Sequence, residues 1–530
     1  MLSLSFLPFV IKRTSAVAGL FLAMGCQPAP SPDPTLVLLV AVDQLRGDML
    51  QAFDPVFTGG LRRILDEGLR FANGTHDHAA TATAPGHHTL STGVHPTRHG
   101  VVGNEWLEQF DGQWRSVYSV EDLDRTILGY PEAEGRGPAN GYRSGLPDWM
   151  LANDPLSRVV SLSRKDRAAI GLAAQARGEV YWLSEAGGEF VTSDYYHSEY
   201  PEWIQDFNTQ TLPGIYADSL WESMTPPSAF SLARPDSSDF ERGGGTSTLP
   251  YRAADRVDVA DPMDLNRWRY QRTPFPDRAV IAAAIEAIHV LELGQRGSVD
   301  YLGLGLSQTD VIGHRFGPRS REQLDNLVRL DLELGRLLDT LDQVLGPEGW
   351  ILALSADHGI LEIPEHLAEQ GVDASRLTSD DRTHFRQVMA EATEGDATPE
   401  TVKSSIEALP FVAAAYTFNE IESGTPADSF ATLFANSHSR TRVAGQQGTY
   451  GVYMRRQPNI LSWGGNATTH GSPYYYDRHV PIIFMGAGVS AGLSSERVAT
   501  IDVAPTLARI TNIPTPDDLD GRVLDVRIPD

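Results

Sequence analysis

The sequence TLVLLVAVD, which runs from Thr35 to Asp43, sets the architecture expected for the whole chain. Its uninterrupted apolar run is typical of a strand that is covered on both faces, as the strands of parallel sheets are. Asp43 stands at the carboxyl end of this strand, and ligands collect at that edge of an open α/β sheet. The alternative for Asp43, taken alone, is an N-cap role at the start of a helix.

Four further apolar runs predict additional strands: Arg158–Leu162, Val299–Leu306, Trp350–Ser355 and Val480–Met485. Four other segments carry apolar residues at helical spacing: Gly59–Phe71, Ala279–Leu293, Arg319–Leu345 and Ile501–Ile510. Strands that alternate with helices predict an α/β fold with a mostly parallel sheet. A chain of 530 residues, 41% of them hydrophobic, is large enough to bury one such sheet and to carry insertions.

Two long segments lack this periodicity. Tyr181–Pro276 is rich in Trp, Tyr, Pro, Ser and Gly, and Glu362–Tyr450 is polar. We interpret them as insertions, at residues 181–276 and 362–450, in a catalytic domain that covers residues 35–530. The first insertion has the composition of a lid over the core, in which Tyr195, Tyr196 and Trp203 are expected to be packing residues.

The formal net charge of the chain is −26. Neither nucleic acid nor an anionic membrane surface attracts such a protein, so both are excluded as expected partners. An anionic substrate must then be drawn in by a locally positive site, and bound metal ions supply one.

The first 25 residues have the pattern of an export signal. Lys12 and Arg13 precede the apolar run Ala16–Met24, which is too short to span a bilayer. Residues 27–34 include four prolines and are expected to form an extended tether. We therefore expect the protein to work outside the cytoplasm, in the periplasm or cell envelope.

Cys26 is the only cysteine of the chain, which excludes an intramolecular disulfide and a zinc site built from several cysteines. Its position directly after the apolar run resembles a bacterial lipoprotein cleavage box, in which the cysteine is acylated and tethers the protein to a membrane, such as the outer membrane. Ala23 stands where such boxes usually carry Leu. Cleavage by an ordinary signal peptidase is therefore the alternative.

A candidate nucleophile lies in TATAPGH, from Thr81 to His87. A turn marked by Gly and Pro leads directly into a helical run, Gly86–Thr92, so the Thr83 side chain is expected near a helix N-terminus. The partial positive charge and free N–H groups at that end suit an incoming phosphate or sulfate. The alternative is that Thr83 serves only as the N-cap of this helix.

Carboxylate and histidine pairs follow two of the predicted strands. Asp310 and His314 are four residues apart, so one helical turn places both on the same face. Asp357 and His358 are adjacent, and Gly359 permits the turn that would let both reach one ion. Metal ligation and ordinary surface hydrogen bonding both fit such pairs.

The other histidines divide into one candidate ligand and a group of non-ligands. His470, in the segment ATTHGSP, adds a further position to the carboxylate and histidine clusters. Six of the fifteen histidines lack carboxylate partners at ligand spacing, and we expect most of them to be hydrogen-bonding or surface residues: His76, His78, His87, His88, His95 and His99. A hydroxyl is a weak nucleophile near neutral pH, so the clusters favour a threonine that is activated by metal.

Two basic residues follow the predicted strand Arg158–Leu162. If the segment is extended, Lys165 and Arg167 alternate across Asp166, so both point the same way and can hold one anion from the side. The alternative is a solvated sheet edge. Asn104, taken alone, is an ordinary loop amide.

Five separated motifs together resemble the alkaline phosphatase superfamily over residues 35 to 525, in the order Asp43, Thr83, Asp310/His314, Asp357/His358 and His470. Within it, the chain is similar to the monomeric, phosphate-irrepressible alkaline phosphatases with a threonine nucleophile. Asn104 follows Thr83 at the spacing of that branch, and Lys165-Asp166-Arg167 matches its Lys-x-Arg pair. The sulfatase signature Cys/Ser-x-Pro-x-Arg is missing around Thr83. The resemblance implies a three-layer α/β/α sandwich with a mostly parallel sheet and inserted lid or cap segments.

The resemblance also implies a site with two zinc ions. One ion would be held by Asp310, His314 and His470, and the other by Asp43, Asp357 and His358 with Thr83 as a further ligand. The non-bridging phosphate oxygens would be bound by Asn104, Lys165 and Arg167.

The activity implied is hydrolysis of small-molecule phosphate monoesters through a phospho-Thr83 intermediate, by a monomeric enzyme. Lys165 and Arg167 favour monoesters because a monoester dianion has three non-bridging oxygens, and additional cationic donors bind it more tightly than they bind a diester. One rival hypothesis is a phosphodiesterase or nucleotide pyrophosphatase on the same scaffold. The other is a surface-tethered binding protein that kept the fold without catalysis, and the complete set of candidate ligands speaks against it.

Overall fold

The structure is a computed structural model, and it describes residues 33–216, 219–242, 244, 247–395, 397–425, 428–462 and 464–526. The expected export signal, Cys26 and most of the proline-rich tether lie outside the described residues. Among the helices in these ranges, none combines the length and the apolar character needed to cross a membrane.

The strands, in chain order, are β1 Leu36–Val42, β2 Leu69–Thr75, β3 Glu105–Phe110, β4 Gln113–Tyr118, β5 Val159–Ser163, β6 Glu179–Leu183, β7 Phe190–Val191, β8 Leu220–Trp221, β9 Tyr251–Arg252, β10 Asp300–Leu306, β11 Trp350–Ser355, β12 Ser375–Arg376, β13 Val412–Thr417, β14 Val452–Arg456, β15 Ile460–Leu461, β16 Ile482–Gly486 and β17 Gly492–Ala499.

The α-helices are α1 Met49–Phe53, α2 Gly60–Glu67, α3 Thr83–Thr92, α4 Pro96–His99, α5 Leu146–Asn153, α6 Asp166–Ala173, α7 Glu202–Asp206, α8 Leu212–Ile215, α9 Pro262–Arg272, α10 Phe275–Val290, α11 Gln308–Phe316, α12 Arg321–Leu345, α13 Pro364–Glu369, α14 Ser379–Ala392, α15 Pro399–Glu407, α16 Phe418–Glu422, α17 Ser429–Asn436, α18 Gly445–Gly448, α19 Tyr475–Arg478 and α20 Val503–Ile510. Short 3₁₀ turns lie at Asp54–Val56, Pro227–Leu232, Ala253–Asp255 and Thr500–Asp502, and Phe207–Thr211 is a π turn.

Nine strands form one central sheet in the order β17-β2-β16-β11-β1-β10-β5-β6-β7. β1 lies in its centre and pairs in parallel with β10 and β11. β16 and β7 run antiparallel to their neighbours, and the other pairs are parallel. The expected α/β fold with a mostly parallel sheet is therefore confirmed.

The side chains of β1 alternate between two hydrophobic cores, and this alternation produces three layers. Leu36, Leu38 and Val40 pack with α2, α10 and α12 on one face of the sheet. Val37 and Leu39 pack with α3, α5 and α20 on the other face. Every residue of β1 is fully buried, as the uninterrupted apolar run predicts.

The helix predicted for Gly59–Phe71 is too long. The helix α2 ends at Glu67, and Leu69–Phe71 belong to β2. Gly68 adopts an extended conformation at the helix end, and a Cβ there would lie 2.5 Å from the carbonyl oxygen of Ile64. Leu69 and Phe71 are two residues apart and both face the core, as alternate residues of a strand do. The position of Leu69 also fits helical spacing, and this coincidence extended the predicted helix too far.

The boundaries of both insertions differ from the expected ones. Tyr181–Leu183 lie in β6, and β7 also joins the central sheet, so the first insertion begins after Val191. The second segment has its own core, which includes Phe385, Met389 and Val402. Its strand β13 pairs with β14, which lies wholly beyond Tyr450. Its polar appearance hid this core because the apolar residues are spread over several short elements.

Candidate metal and phosphate site

The site lies where three neighbouring parallel strands end. Asp43 directly follows β1, and its backbone N–H donates to the carbonyl of Leu306, the last residue of β10 (2.9 Å). α11 begins two residues beyond β10, and it carries Asp310 and His314 one turn apart. Asp357 and His358 follow β11 on the other side of β1. The topology thus brings together residues that are far apart in sequence.

The first group of candidate ligands consists of Asp310, His314 and His470. His314 Nε2 lies 3.1 Å from Asp310 Oδ1, and His470 Nε2 lies 3.7 Å from the same oxygen. The loop that carries His470 is joined to α11 because the backbone N–H of Ala467 donates to the carbonyl of His314 (2.9 Å). The structure therefore brings this predicted set together.

The second group surrounds His358. His358 Nε2 lies 3.5 Å from Asp43 Oδ1 and 3.5 Å from Asp357 Oδ2. All three atoms are buried and lack hydrogen-bond partners among the described residues. Asp310 also approaches Asp43 and His358, so its carboxylate lies between the two groups. The rings of His358 and His470 stack with centroids 3.5 Å apart, which joins the groups into one site.

All three candidate histidine ligands present Nε2 to the site because Nδ1 bonds to a main-chain carbonyl: His314 to Thr468 (2.9 Å), His358 to Gly359 (2.9 Å) and His470 to Thr81 (2.7 Å). A carbonyl only accepts, so Nδ1 carries a proton, and in the neutral ring Nε2 keeps its lone pair. Burial holds the pKa of His470 well below its usual range, which favours the neutral form that binds metal. Fixing the outer nitrogen is how proteins orient histidines toward a metal ion.

Negative charge is concentrated at the site. Burial and the neighbouring Asp357 raise the pKa of Asp43 well above its usual range. Burial also opposes ionisation of Asp310, but His314 and Lys165 outweigh it and hold the pKa of Asp310 well below its usual range. Buried carboxylates this close to one another need cations. The donor set, carboxylate oxygens with neutral imidazoles and unpartnered inward atoms, fits divalent ions such as Zn²⁺.

Thr83 is the first residue of α3 and is 1% exposed. The N-cap position is held by Ala82, so the alternative in which Thr83 only caps the helix is wrong. The backbone N–H of Ala84 donates to Asn104 Oδ1 (2.8 Å), which places the amide of Asn104 at the same helix end. A Cβ on Gly86 would lie 2.2 Å from the carbonyl oxygen of Asp357, so glycine allows α3 to approach the metal-ligand loop.

Lys165 reaches into the site, but not from an extended segment. It precedes α6 as its N-cap residue, and Arg167 lies inside the first turn, so the expected strand-like alternation is wrong. Lys165 Nζ lies 2.5 Å from Asp43 Oδ2, 2.7 Å from Asp310 Oδ2 and 3.5 Å from Thr83 Oγ1. The helix begins here because Asp166 in its first turn suits the positive N-terminal end.

Arg167 is held by residues that the sequence did not reveal. Its Nη1 donates to the hydroxyl of Tyr118 (3.1 Å), and that hydroxyl donates to Asp166 Oδ1 (2.6 Å). Arg136 donates to the other oxygen of Asp166 (2.8 Å). Tyr118 lies at the end of a two-stranded sheet remote in sequence from α6, so no local pattern identified it.

Gln44 and His87 are two further neighbours of the site. Gln44 donates through its backbone N–H to Asp357 Oδ1 (3.0 Å) and through Nε2 to Asp310 Oδ1 (2.7 Å). His87 Nδ1 donates to the carbonyl of Thr83 (2.8 Å) and lies 3.3 Å from Asp357 Oδ2. The only signal for Gln44 was its place directly after Asp43.

The histidines between Thr75 and His99 are mainly internal. Five of them are buried, so the surface role expected for some of them is wrong: His76, His78, His87, His88 and His99. Four of these five hydrogen bond through a ring nitrogen, as expected. None of the six belongs to the candidate metal groups found among the described residues.

Comparison with known proteins gives consistent results. Residues 37–485 match the family model described as type I phosphodiesterase / nucleotide pyrophosphatase. The chain is 27% identical to alkaline phosphatase PafA of Elizabethkingia meningoseptica, over 93% of this chain and 94% of the relative. It is 30% identical to alkaline phosphatase PhoK of Sphingomonas sp, over 93% of this chain and 91% of the relative.

Solved structures extend this similarity to the fold. A crystal structure of wild-type alkaline phosphatase PafA superposes with a TM-score of 0.84 at 26% identity, and it covers 94% of this chain and 99% of that chain. Murine ectonucleotide pyrophosphatase / phosphodiesterase 5 shares the fold more distantly, with a TM-score of 0.52 at 15% identity over 92% of this chain and 97% of that chain.

Proposed function

Because this chain belongs to the type I phosphodiesterase / nucleotide pyrophosphatase family of the alkaline phosphatase superfamily, and is a phosphatase, we propose that it hydrolyses phosphate monoesters through a phospho-Thr83 intermediate. The observation that supports this most is the ammonium group of Lys165, 3.5 Å from Thr83 Oγ1. A monoester dianion carries one more unesterified oxygen than a diester, and a cation beside the nucleophile stabilises that extra negative charge.

The proposed cofactors are two zinc ions. Asp310, His314 and His470 would hold one of them, and Asp43, Asp357, His358 and Thr83 would hold the other. Bound there, the ions supply Lewis-acid stabilisation of the negative charge that develops on oxygen during phosphoryl transfer.

The side chains around Thr83 divide the work of the first step. Thr83 Oγ gives its proton to solvent and forms a bond to phosphorus while the bond from phosphorus to the ester oxygen breaks. That oxygen leaves with the electron pair and takes up a proton from solvent. Asn104 Oδ1 already accepts from Ala84, so its Nδ2 is the group directed to a phosphate oxygen. The free N–H groups at the start of α3 point to the same region.

Lys165 and Arg167 bind the remaining charge of the phosphoryl group. Lys165 Nζ contacts Asp43 and Asp310, so it exchanges one carboxylate partner for a phosphate oxygen when substrate binds. Arg167 is oriented by Tyr118 and keeps further N–H donors for the substrate. In the second step, a water oxygen bonds to phosphorus while the bond from phosphorus to Thr83 Oγ breaks. A proton from that water ends on Thr83 Oγ, and inorganic phosphate leaves.

The test compares kcat/KM for an aryl phosphate with that for its methyl diester. We expect the wild-type enzyme to prefer the monoester, and the Lys165→Ala and Arg167→Ala variants to lose about 100-fold or more on the monoester and far less on the diester. Thr83→Ala should yield no covalent phosphoenzyme after acid quenching. A wild-type preference for the diester, or monoester turnover that survives both cationic substitutions, would contradict the proposal.

A phosphodiesterase or nucleotide pyrophosphatase is the second candidate, because the matching family model carries that description. The ratio of kcat/KM for the aryl phosphate and its methyl diester decides between the two. A diester has one unesterified oxygen fewer, so a diesterase would benefit less from Lys165.

We also propose that the enzyme is exported as a monomer to the periplasm or cell envelope and that Cys26 carries a lipid. Support comes from the basic, apolar and cysteine-terminated pattern of residues 12–26. Mass spectrometry of the mature N-terminus should find an acylated Cys26, and an unmodified terminus beyond Cys26 would rule out the lipid.

A further inference from the structure

Four arginines gather around the carboxyl end of α11, next to the proposed catalytic site, and we name Arg242, Arg256, Arg272 and Arg315 the arginine cluster. Arg315 lies in the last turn of α11, directly after the candidate ligand His314. The backbone N–H of Arg242 donates to the carbonyl of Arg315 (2.8 Å), which fixes the two main chains side by side.

Two neighbouring aromatic rings, tilted by 37°, bring Arg256 to the same place. The ring centroids of Tyr251 and Phe316 are 5.7 Å apart. The Arg315 guanidinium carbon lies 5.5 Å from the Phe316 centroid, and that of Arg256 lies 5.7 Å from the Tyr251 centroid. Both guanidinium groups therefore border one aromatic wall.

The arginine cluster lacks acidic partners. Within the described part of the chain, no carboxylate oxygen lies within 4.0 Å of any of its four guanidinium groups, and none of the four donates a side-chain hydrogen bond. Arg315 Nε is buried without a partner. This is unusual in a chain with 69 acidic and 43 basic residues, where surface arginines readily find carboxylates.

The clustered charges repel one another. Burial and the charges of Arg242 and Arg256 lower the pKa of Arg272. Arg272 and Arg315 end α9 and α11, where the helix dipole stabilises a cation, but Arg242 and Arg256 lie outside α-helices. An anion bound among the four would relieve this repulsion.

The arginine cluster and the catalytic site meet on α11. Only three residues of α11 are not buried, namely Val311, His314 and Arg315. Because Thr83 is assigned to the other metal group, the group that includes His314 is left for the leaving oxygen. The part of a substrate beyond that oxygen would then lie close to Arg315. His314 and Arg315 are consecutive in α11, with α-carbons about 3.8 Å apart, so the cluster begins directly beside the catalytic site.

We propose that the arginine cluster is a subsite for a second phosphate group on the leaving-group part of the substrate, which makes small bisphosphorylated esters the preferred substrate class. This inference rests on the proposed phosphatase function. Guanidinium groups bind phosphate through paired N–H donors. A partly exposed cluster of four can bind the second phosphate of a flexible substrate in more than one position.

The experiment compares kcat/KM for hexanediol bisphosphate with that for n-hexyl phosphate, which has the same alkyl leaving group without the second charge. After correction for its two equivalent ends, we expect the bisphosphate to be favoured about tenfold or more by the wild-type enzyme. The double variant Arg256→Gln/Arg272→Gln should bring the ratio close to one while n-hexyl phosphate turnover stays within about twofold. High salt should also reduce the ratio, since the cluster is partly exposed.

The matched control is Arg267→Gln, also on α9, because Arg267 lies 3.8 Å from Asp264 and is largely exposed. It should keep the wild-type ratio. The subsite is refuted if the wild-type enzyme shows no preference for the bisphosphate, or if the double variant loses both esters equally. The single variants Arg242→Gln and Arg256→Gln repeat the test at exposed positions where folding is not at risk.

Failure of the proposed function has a different signature, which is wild-type protein that hydrolyses neither ester. Calorimetric titration of that protein with both compounds then tests the cluster by itself. Tighter binding of the bisphosphate that disappears in the double variant supports the subsite, and equal affinities overturn it.

Discussion

Tyr118 holds the two charged side chains of α6 in their relative positions. Its hydroxyl accepts from Arg167 and donates to Asp166, so one oxygen both orients the guanidinium and holds the neighbouring carboxylate in place. The Arg136 contact with Asp166 completes the chain of contacts. Tyr118 touches no expected substrate atom and is therefore a positioning residue.

Replacing Tyr118 with Phe should lower kcat/KM for an aryl monoester about tenfold, because Arg167 loses a hydrogen-bond acceptor worth roughly 1 to 1.5 kcal/mol. The methyl diester, which depends less on Arg167, should lose little. Tyr130→Phe is the control, since the Tyr130 hydroxyl bonds to Glu189 and not to α6. Equal losses on both substrates would mean that Tyr118 only supports the fold.

Glu322 makes stability depend on pH. It is fully buried, its Oε1 accepts from Tyr251 (2.5 Å), and Glu241 and Asp236 lie near it. Burial raises its pKa from the usual 4.5 to about 8. The folded protein therefore keeps a proton that the unfolded chain releases above pH 4.5, and stability falls as the pH rises from about 4.5 to about 8.

Glu322→Gln keeps the neutral form at every pH. We expect its free energy of unfolding to match the wild type near pH 4.5 and to exceed it by on the order of 5 kcal/mol above pH 8. Chemical denaturation across this range measures the difference. The exposed Glu348→Gln should follow the wild-type profile, and a parallel profile for Glu322→Gln would show that Glu322 ionises normally.

At the scale of elements, the approach of α3 to the loop after β11 depends on one missing side chain. A Cβ on Gly86 would meet the main chain of Asp357, at 2.2 Å from its carbonyl oxygen and 2.6 Å from its Cα. Backbone atoms cannot swing aside, so the helix or the loop must move.

Gly86→Ala should therefore separate Thr83 from Asp357 and lower monoester kcat/KM by about 100-fold, since misplacement by about an ångström costs that much. Overpacking should also cost about 1 to 3 kcal/mol of stability, measurable by thermal denaturation. Gly214→Ala in α8 serves as the control, because no heavy atom lies within 4 Å of its added Cβ. Near-normal activity of Gly86→Ala would show that the helix tolerates the shift.

The sequence predicted the buried elements better than those at their borders. β1 and β11 were predicted within one residue because uninterrupted apolar runs have only one structural solution in a covered sheet. The end of α2 and the start of α6 were missed, because short segments around Gly68 and Lys165 fit both periodicities. Tertiary contacts, such as those of Lys165 with two carboxylates, decided the conformation there.

At the scale of the whole molecule, the candidate ligands come from separate parts of the chain, and a bound metal ion would join them. Asp43 follows β1, Asp310 lies in α11, and His470 lies in a loop close to the carboxyl end of the chain. The order of these motifs could be predicted from sequence, as could their place at one sheet edge. Supporting contacts such as Gln44 with Asp310 could not, because they follow from packing.

Removing metal with a chelator should destabilise the entire fold and abolish turnover. An ion present at about 1,000 times its Kd adds about 4 kcal/mol, which for 530 residues corresponds to about 4 °C in Tm. Differential scanning calorimetry before and after zinc readdition measures the shift. His470→Ala should reduce this shift in Tm, and His366→Ala, outside the site, should leave it unchanged. A Tm that stays the same when the chelator is added would contradict a structural role for the ions.

The imidazole rings of the site are held by main-chain oxygens of Thr81, Gly359 and Thr468 rather than by other side chains. Every amino acid brings a carbonyl, so evolutionary drift at positions 81 and 468 removes no support from the rings. Position 359 is restricted to glycine for a separate reason, because a Cβ there would lie 2.3 Å from the carbonyl oxygen of Tyr476. Substitutions at positions 81 and 468 are thus less able to disorient the rings than substitutions of the ligands are to remove them, which lets those two positions diverge while the chemistry is inherited.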